Sequence, residues 1–588
     1  DEADTLTYWD LPEGAIRAGA NELRIHCAGS GPDDVLIGEV ALVHGSREQV
    51  LSAATIAVSV RQEPDGRAVP ARVTVTNADG TLMSTGNESS PDLAVRPGVL
   101  YTRMGDARLQ LPAGRYVIHA GRGFEYSVAR AEIDLRAGTN PPRQLVIRRE
   151  VDTAGWAAMD THVHTGTFAR HGDAAIRERM LTLAGEGVEL PVSTEHNTRV
   201  DFEPAAREAR VDDHFTPLVG SEVTTPALGH FNVFPLPPTA VPINAKAPDW
   251  PRLQASISGA ADDPVIVLNH GRDLHGGFRP LDAARHVSIA GENLDGWVLP
   301  ANAMEVVNSG AVMSDALALP RDWMGLLNRG LRITPIGSSD SHDVSRYIVG
   351  QGRTYVRVND TTPGRIDRTL AAARVRGGQV TVSYGLLTEI EVNGRGPGEI
   401  AAEGGDLDVR VGVKGPAWSR ADRVALYVNG EEVRRTNVSS GAKAGLKWQA
   451  AWRMARPAHD VHVVAIAMGP GIAAPYWPTA KPYQPTSIEF TPYVLGLTGA
   501  VFVDGDGNGR FDSALEYARR EVEAAGSDEA LLARLATYDT AVAIQAASLL
   551  RAADPKRFEA RLQAMMARAA LHVRRGLDAY LREWRNGR

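Results

Sequence analysis

Asp160-Thr161-His162-Val163-His164-Thr165 sets two histidines one residue apart at the end of a short apolar run, and the reading of the whole chain turns on it. Residues i and i+2 of a strand point to the same side, so both imidazoles can reach one ion. Alone the pair is a weak signal, because isolated histidine pairs are common on surfaces and in cores. Accumulation changes that. Ten of the sixteen histidines, His162, His164, His171, His196, His214, His230, His270, His275, His286 and His342, fall between residues 162 and 342.

Outward from this stretch, short apolar runs alternate with helical segments from Trp156 to Gly378, the pattern of an α/β domain with parallel strands. Residues 173–187 read as a helix, with Ile176, Met180, Leu183 and Ala184 at i, i+4, i+7 and i+8. Strands are expected over 156–161, 190–194, 216–220, 231–234, 265–268, 304–307 and 333–336. Beside them stand, in order, His162 with His164; Glu195 with His196; Glu222; His230; His270; Glu305; and Asp340 with His342. In a parallel α/β barrel the C-terminal strand ends share one face, which is what a multinuclear site requires. A helix starting near Thr362-Pro363, with Ile366 and Leu370 inward and a stop at Gly377-Gly378, is expected to close the domain.

The flanks read differently. Residues 1–52 suggest a small β unit. Residues 53–150 carry strand and turn signals, such as Arg72-Val73-Thr74-Val75-Thr76 before Asn77-Ala78-Asp79-Gly80, and Leu109-Gln110-Leu111 turning at Pro112-Ala113-Gly114. This segment resembles the carboxypeptidase-regulatory-like β-sandwich. The α/β unit is placed at 151–379 and a second β-sandwich at 380–503, where Leu407, Val409, Val411 and Val413 alternate. Residues 504–588 combine an acidic loop with helices expected over 540–551 and 556–584.

Composition bounds the function. A chain of 588 residues should divide into about three or four domains. A formal net charge of −8 gives no support for sequence-independent nucleic-acid binding. No apolar run approaches the ~20 residues of a transmembrane helix. The single cysteine, Cys27, excludes an intramolecular disulfide and a cysteine-rich metal site, so ligands must be His, Asp or Glu. The start at Asp1 without Met leads to the expectation of an exported protein, periplasmic or extracellular, or lipid-anchored through residues beyond this sequence.

Asp160 to Thr165, Ser193-Thr194-Glu195-His196-Asn197, Gly220-Ser221-Glu222, Leu268-Asn269-His270 and Gly337-Ser338-Ser339-Asp340-Ser341-His342 together resemble the polymerase-and-histidinol-phosphatase (PHP) superfamily. Gly229-His230-Phe231-Asn232-Val233-Phe234, with the flanking β domains, is similar to its CehA/McbA branch, named for carbaryl hydrolases. The resemblance covers 156–343 and implies a distorted (β/α)7 barrel holding two or three divalent ions. It implies His162, His164, Glu222 and Asp340 around one ion, Glu222 bridging to a second held by His230 and His270, and His171, His196 and His342 around a third. Many members carry Asp at the His171 position, which leaves Asp173 as the alternative; the 25 residues from His171 to His196 match the family's spacing. Glu222, Asp340 and His342 are the residues expected to be indispensable for turnover.

Clustered dications lower the pKa of bound water, supply hydroxide near neutral pH and stabilise negative charge on a substrate oxygen. Imidazole with carboxylate suits zinc, manganese or iron. Asp160, Glu195 and Glu305 either orient ligand histidines or pair with backbone N–H groups. Arg199, Arg272 and Arg346 either clamp an anionic substrate or form surface ion pairs. A separate stretch, Asp504 to Asp512, has the spacing of a calcium loop with Asp504, Asp506, Asn508 and Asp512 as ligands. Position twelve is Leu515, with Glu516 one residue late, so an Asx-rich turn is the alternative. The leading expectation is a hydrolase of small-molecule phosphoesters. A carbamate or carboxyl-ester hydrolase and a noncatalytic metal-containing binding protein are the other two.

Overall fold

The computed structural model describes residues 4–26, 36–296, 298–402 and 405–587, and Cys27 lies outside them. The chain is multidomain and largely sheet, ending in a helical segment. Near the N-terminus, Ala54–Gln62 and Asp106–Leu111 pair in a four-stranded sheet that faces a seven-stranded one containing Ala71–Thr76 and Gly114–Gly121. Alternate residues of these strands, Ile56, Val58, Val60, Val73, Val75, Leu109, Leu111 and Ile118, fill the space between. The turn at Pro112-Ala113 therefore carries the chain from one sheet to the other instead of closing a hairpin. In the described part of the first 52 residues the strand is Thr5–Leu6, which pairs with Leu82–Met83 as an edge of that sandwich.

The central region departs from a single closed parallel barrel. Its strands divide between two sheets. Ala157–Val163 runs parallel to Leu190–Ser193, and that to Leu218–Val219. The second sheet holds Ser221–Thr224, His230–Phe234, Val265–Leu268, Ala303–Asn308 and Thr334–Ser338 in that order. His230–Phe234 is antiparallel to both neighbours. The sheets abut where the site lies: Gly220 N–H donates to Ser193 O at 3.0 Å, Asp340 N–H to His162 O at 2.9 Å and His164 N–H to Ser341 O at 3.1 Å.

Helices cover the outside. Ile176–Gly185 is shorter than expected but buries Met180, Leu183 and Ala184 as its spacing requires. After a 3-10 turn at Pro363–Arg365, the helix Arg368–Arg376 is capped by Asp367 and turns Ala371, Ala372 and Val375 inward. Ile366 is buried, whereas Leu370 is 41% exposed, a correction to the sequence expectation. The displaced start rotates the buried face by part of a turn.

The second sandwich shares a sheet with the central region, because Arg353–Val356 pairs with Val380–Tyr384 and that with Tyr493–Thr498. Leu387–Val392, Leu407–Gly415 and Gly445–Met454 form the opposing sheet. At the C-terminus, helices Ala514–Ala524, Asp528–Leu535, Thr540–Ala553, Phe558–Met566 and Leu571–Asn586 build their own core. The helix expected over 556–584 is thus two. Gln545 Nε2 donates to Ala290 O at 2.9 Å and Arg551 to Glu292 at 2.8 Å, docking this segment on the central region. No helix among the described residues is long and apolar enough to cross a membrane.

Candidate metal centre

Glu222, buried in Ser221–Thr224, sits in the middle of the cluster. Its Oε1 lies 3.1 Å from His230 Nδ1, 3.5 Å from His162 Nε2 and 3.6 Å from His270 Nε2. Its Oε2 lies 2.5 Å from His196 Nδ1 and 3.8 Å from His164 Nε2. Asp340 Oδ1 stands 3.1 Å from His162 Nε2 and 3.5 Å from His164 Nε2. The sequence-predicted residues His162, His164, His196, Glu222, His230, His270, Asp340 and His342 are therefore brought together from elements up to 180 residues apart.

His171 joins them from the loop after the Gly166–Ala169 turn, its Nε2 3.0 Å from His196 Nε2 and its ring 4.3 Å from that of His342. Asp173 points elsewhere: it pairs with Arg96 at 2.8 Å and accepts the Val344 N–H at 2.7 Å. His214 and His286 stand apart, beside Arg122 and Asp322 respectively.

His230 reaches the cluster for a reason the parallel-barrel expectation does not contain. It opens its strand, and because that strand runs antiparallel, its start lies on the face where its neighbours end. Asp340 and His270 occupy left-handed backbone, with φ of 53° and 26°. Non-glycine residues held there cost of order 1–3 kcal/mol and cluster at functional sites.

Within this cluster, among the described residues, four groups of side chains could each hold a metal ion: His162, His164 and Asp340; His162, Glu222 and His270; His164, His196 and His342; and His230, His270 and His275. The donor set fits cations on an independent observation. His162 Nε2, both nitrogens of His164, His270 Nδ1, His275 Nε2 and His342 Nε2 are buried without a hydrogen-bond partner. Buried polar atoms left unsatisfied are rare and call for a partner. For His162 and His342 the other nitrogen is committed, to Glu305 at 2.7 Å and to the Asp340 carbonyl at 3.0 Å, which leaves Nε2 as the available donor.

Charge is distributed unevenly. Burial opposes a charge on His162, yet Asp340 and Glu305 outweigh it and raise its pKa well above the ordinary value. Burial alone would raise Glu222, but His162, His196, His230 and His270 hold it well below the carboxylate range. Burial, then neighbouring imidazoles, depress His342 to about 2 and His275 to about 3.

The flanking carboxylates divide in role. Glu305 contacts His162 directly. Glu195 accepts the Thr165 hydroxyl and N–H, with Oε2 3.9 Å from His164 Nδ1. Asp160 accepts the N–H groups of His162, Ser339 and Gly350, so it pins backbone and not an imidazole. Among the arginines, Arg272 is locked to buried Asp322 at 2.6 and 2.8 Å, Arg199 donates to Pro237 O at 3.2 Å, and Arg346 lies exposed against Tyr347. In the acidic loop, Asp460 joins Asp504 and Asp506 in a carboxylate group, while Asp512 pairs with Arg520 at 2.8 Å. Glu516 completes a capping box with Ser513, the N-cap of the following helix.

No protein-family model matches the chain, and no curated protein sequence matches it. Among solved structures, a two-domain protein from Bacteroides vulgatus containing a predicted PHP-like metal-dependent phosphoesterase aligns at 15% identity and a TM-score of 0.31, over 54% of this chain and 93% of its own. PsfC from Pseudomonas syringae aligns at 17% identity and a TM-score of 0.24, over 35% of this chain and 86% of its own. Both scores lie under 0.5.

Proposed function

We propose that this protein is a PHP-type metal-dependent hydrolase that cleaves small-molecule phosphoesters. The observation that carries the reading is the convergence of orphaned, buried imidazole nitrogens on the Glu222 and Asp340 carboxylates. His162, His164, Glu222 and Asp340 would hold one ion, Glu222, His230 and His270 a second, and His171, His196 and His342 a third. Zinc, manganese and iron all suit such donors. Bound dications acidify water and offset negative charge on substrate oxygens.

The chain's own groups do the rest. Glu305 fixes the His162 tautomer through a 2.7 Å contact, and the Asp340 carbonyl does the same for His342 at 3.0 Å. Glu222, placed between two sets of imidazoles, offsets the repulsion of neighbouring cations. His171 is exposed and His196, His230 and His342 are half-buried, so the cluster is open to solvent at these rings.

A second reading, a carbamate or carboxyl-ester hydrolase, is favoured by the loops around the cluster. Arg272 is neutralised by Asp322, while Phe168, Leu274 and Tyr483 are 41%, 47% and 49% exposed on those loops or bonded to them. An apolar rim suits a neutral aryl ester better than a dianion.

One panel separates the readings: metal content by elemental analysis, then turnover of an aryl phosphate, an aryl phosphodiester and an aryl methylcarbamate. Turnover of a phosphate ester, competed by inorganic phosphate, is expected. Cleavage of the carbamate alone would replace the first reading with the second. Metal-loaded protein inert to all three would leave a binding protein.

A further inference from the structure

His275 belongs to none of the motifs that mark the cluster, yet the structure seats it there. We propose that His275 is a tenth metal ligand, forming with His230 and His270 a subsite of three imidazoles. This rests on the metallohydrolase reading above and adds to it.

Donor nitrogens of His230, His270 and His275 all lie within 4.8 Å of one another. The His275 ring is 4.2 Å from each of the other two. Imidazole nitrogens bound to one zinc at ~2.0–2.1 Å stand about 3–4 Å apart, which this trio accommodates. His275 Nε2 is buried and has no hydrogen-bond partner.

The local chain is shaped to hold the ring there. His275 and Phe278 exchange backbone hydrogen bonds of 3.2 and 2.9 Å around Gly276 and Gly277, whose φ values are 56° and 86°. Positive φ at both central residues is the primed hairpin turn, which glycine adopts without strain. A Cβ on Gly276 would lie 1.5 Å from the Pro226 carbonyl oxygen. Glycine thus lets the hairpin press against the chain just beyond Ser221–Thr224, the strand that carries Glu222. On the other arm Phe278 packs edge-on against Trp250 at 6.1 Å, and the Trp250 indole donates to Leu228 O at 2.8 Å. A histidine free on the surface would need none of this bracing.

The extra imidazole has a chemical consequence. Three imidazoles leave more positive charge on the ion than a carboxylate-rich cage, and favour zinc or iron over manganese.

The test strips the full chain with EDTA, titrates it with Zn²⁺ by calorimetry and counts bound metal by elemental analysis. His275→Ala should bind one equivalent fewer than wild type, with unchanged circular dichroism, and His275→Asp should restore that equivalent. Gly276→Ala, which keeps the imidazole but displaces the hairpin, should also lose it. Should His275→Ala not fold, His275→Asn one equivalent short of His275→Asp carries the same comparison. Equal stoichiometry and affinity in wild type and the ligand-deficient variants would overturn the tenth ligand while leaving the hydrolase reading intact. Wild type that takes up no zinc, manganese or iron would overturn both.

Discussion

Glu305 decides which nitrogen His162 presents. Its Oε1 accepts from His162 Nδ1 at 2.7 Å and from the Ser338 hydroxyl at 2.6 Å, while Oε2 accepts from the His270 N–H at 2.6 Å and Asn308 Nδ2 at 2.9 Å. All four neighbours donate, and His162 holds the Glu305 carboxyl below its usual pKa against the upward push of burial. Glutamine would turn one N–H₂ against a donor pair. Glu305→Gln is therefore expected to weaken metal binding by ~10–100-fold, the usual cost of losing a carboxylate behind a ligand histidine. Competition with a chelating dye measures it, and wild-type affinity would remove Glu305 from this role. Such a carboxylate was legible as a strand-end residue, but its partner was not, since Glu305 and His162 are 143 residues apart. His275 counts among the clustered histidines but falls outside the motifs for a related reason. It stands on no strand, and its available signal was the Gly276-Gly277 pair immediately after it, a two-residue turn that returns the chain to the site.

At the scale of elements, strand positions were readable from short apolar runs, whereas strand direction was not. The run Phe231 to Phe234 has the same local pattern whether it pairs parallel or antiparallel, and here it pairs antiparallel with both neighbours. Asn232 gives this strand a second task. Its side chain is fully buried, donates to Thr161 O at 2.9 Å and accepts from Asn269 Nδ2 at 2.9 Å, and the same Asn269 amide donates to Glu222 Oε1 at 3.1 Å. One amide thus ties the second sheet to the first strand of the other and steadies the central carboxylate. Asn232→Leu would orphan the Thr161 carbonyl and one Asn269 N–H, at about 1–3 kcal/mol for each buried group left unpaired. A lower urea midpoint with an unchanged m-value is the expected result. A midpoint equal to that of wild type would show that the sheets are held together without this amide.

At the scale of the whole molecule, the sequence separated the outer β segments from the chemistry, and the structure joins them. Alternating residues mark strands of a sandwich equally well whether its sheet ends at the domain edge or continues, as here, through Val380–Tyr384 into the central region. The same continuity brings residues 471–492, between Val461–Pro470 and Tyr493–Thr498, across to the site. Gln351 Nε2 donates to Pro478 O at 2.8 Å, Leu274 N–H to Gln484 Oε1 at 2.8 Å, and Thr486 N–H to Ser314 Oγ at 3.1 Å. Between these ties the Tyr483 hydroxyl donates to Asp273 Oδ2 at 2.6 Å, three residues after His270. Tyr483 keeps about half its surface exposed beside the loop that follows His270, and on the hydrolase reading its ring is expected to form part of the wall a substrate meets. Tyr483→Phe removes the hydroxyl, leaves the ring and touches no ligand. Metal content should therefore stay constant while KM rises about twofold to thirteenfold, the range set by one lost hydrogen bond of ~0.5–1.5 kcal/mol, with kcat changed less. Steady-state kinetics on the best substrate of the ester panel, with elemental analysis of the same samples, reads both quantities. Unchanged KM would confine this segment to a structural tie, and loss of metal would place Tyr483 in support of His270 and His275 instead of the substrate wall.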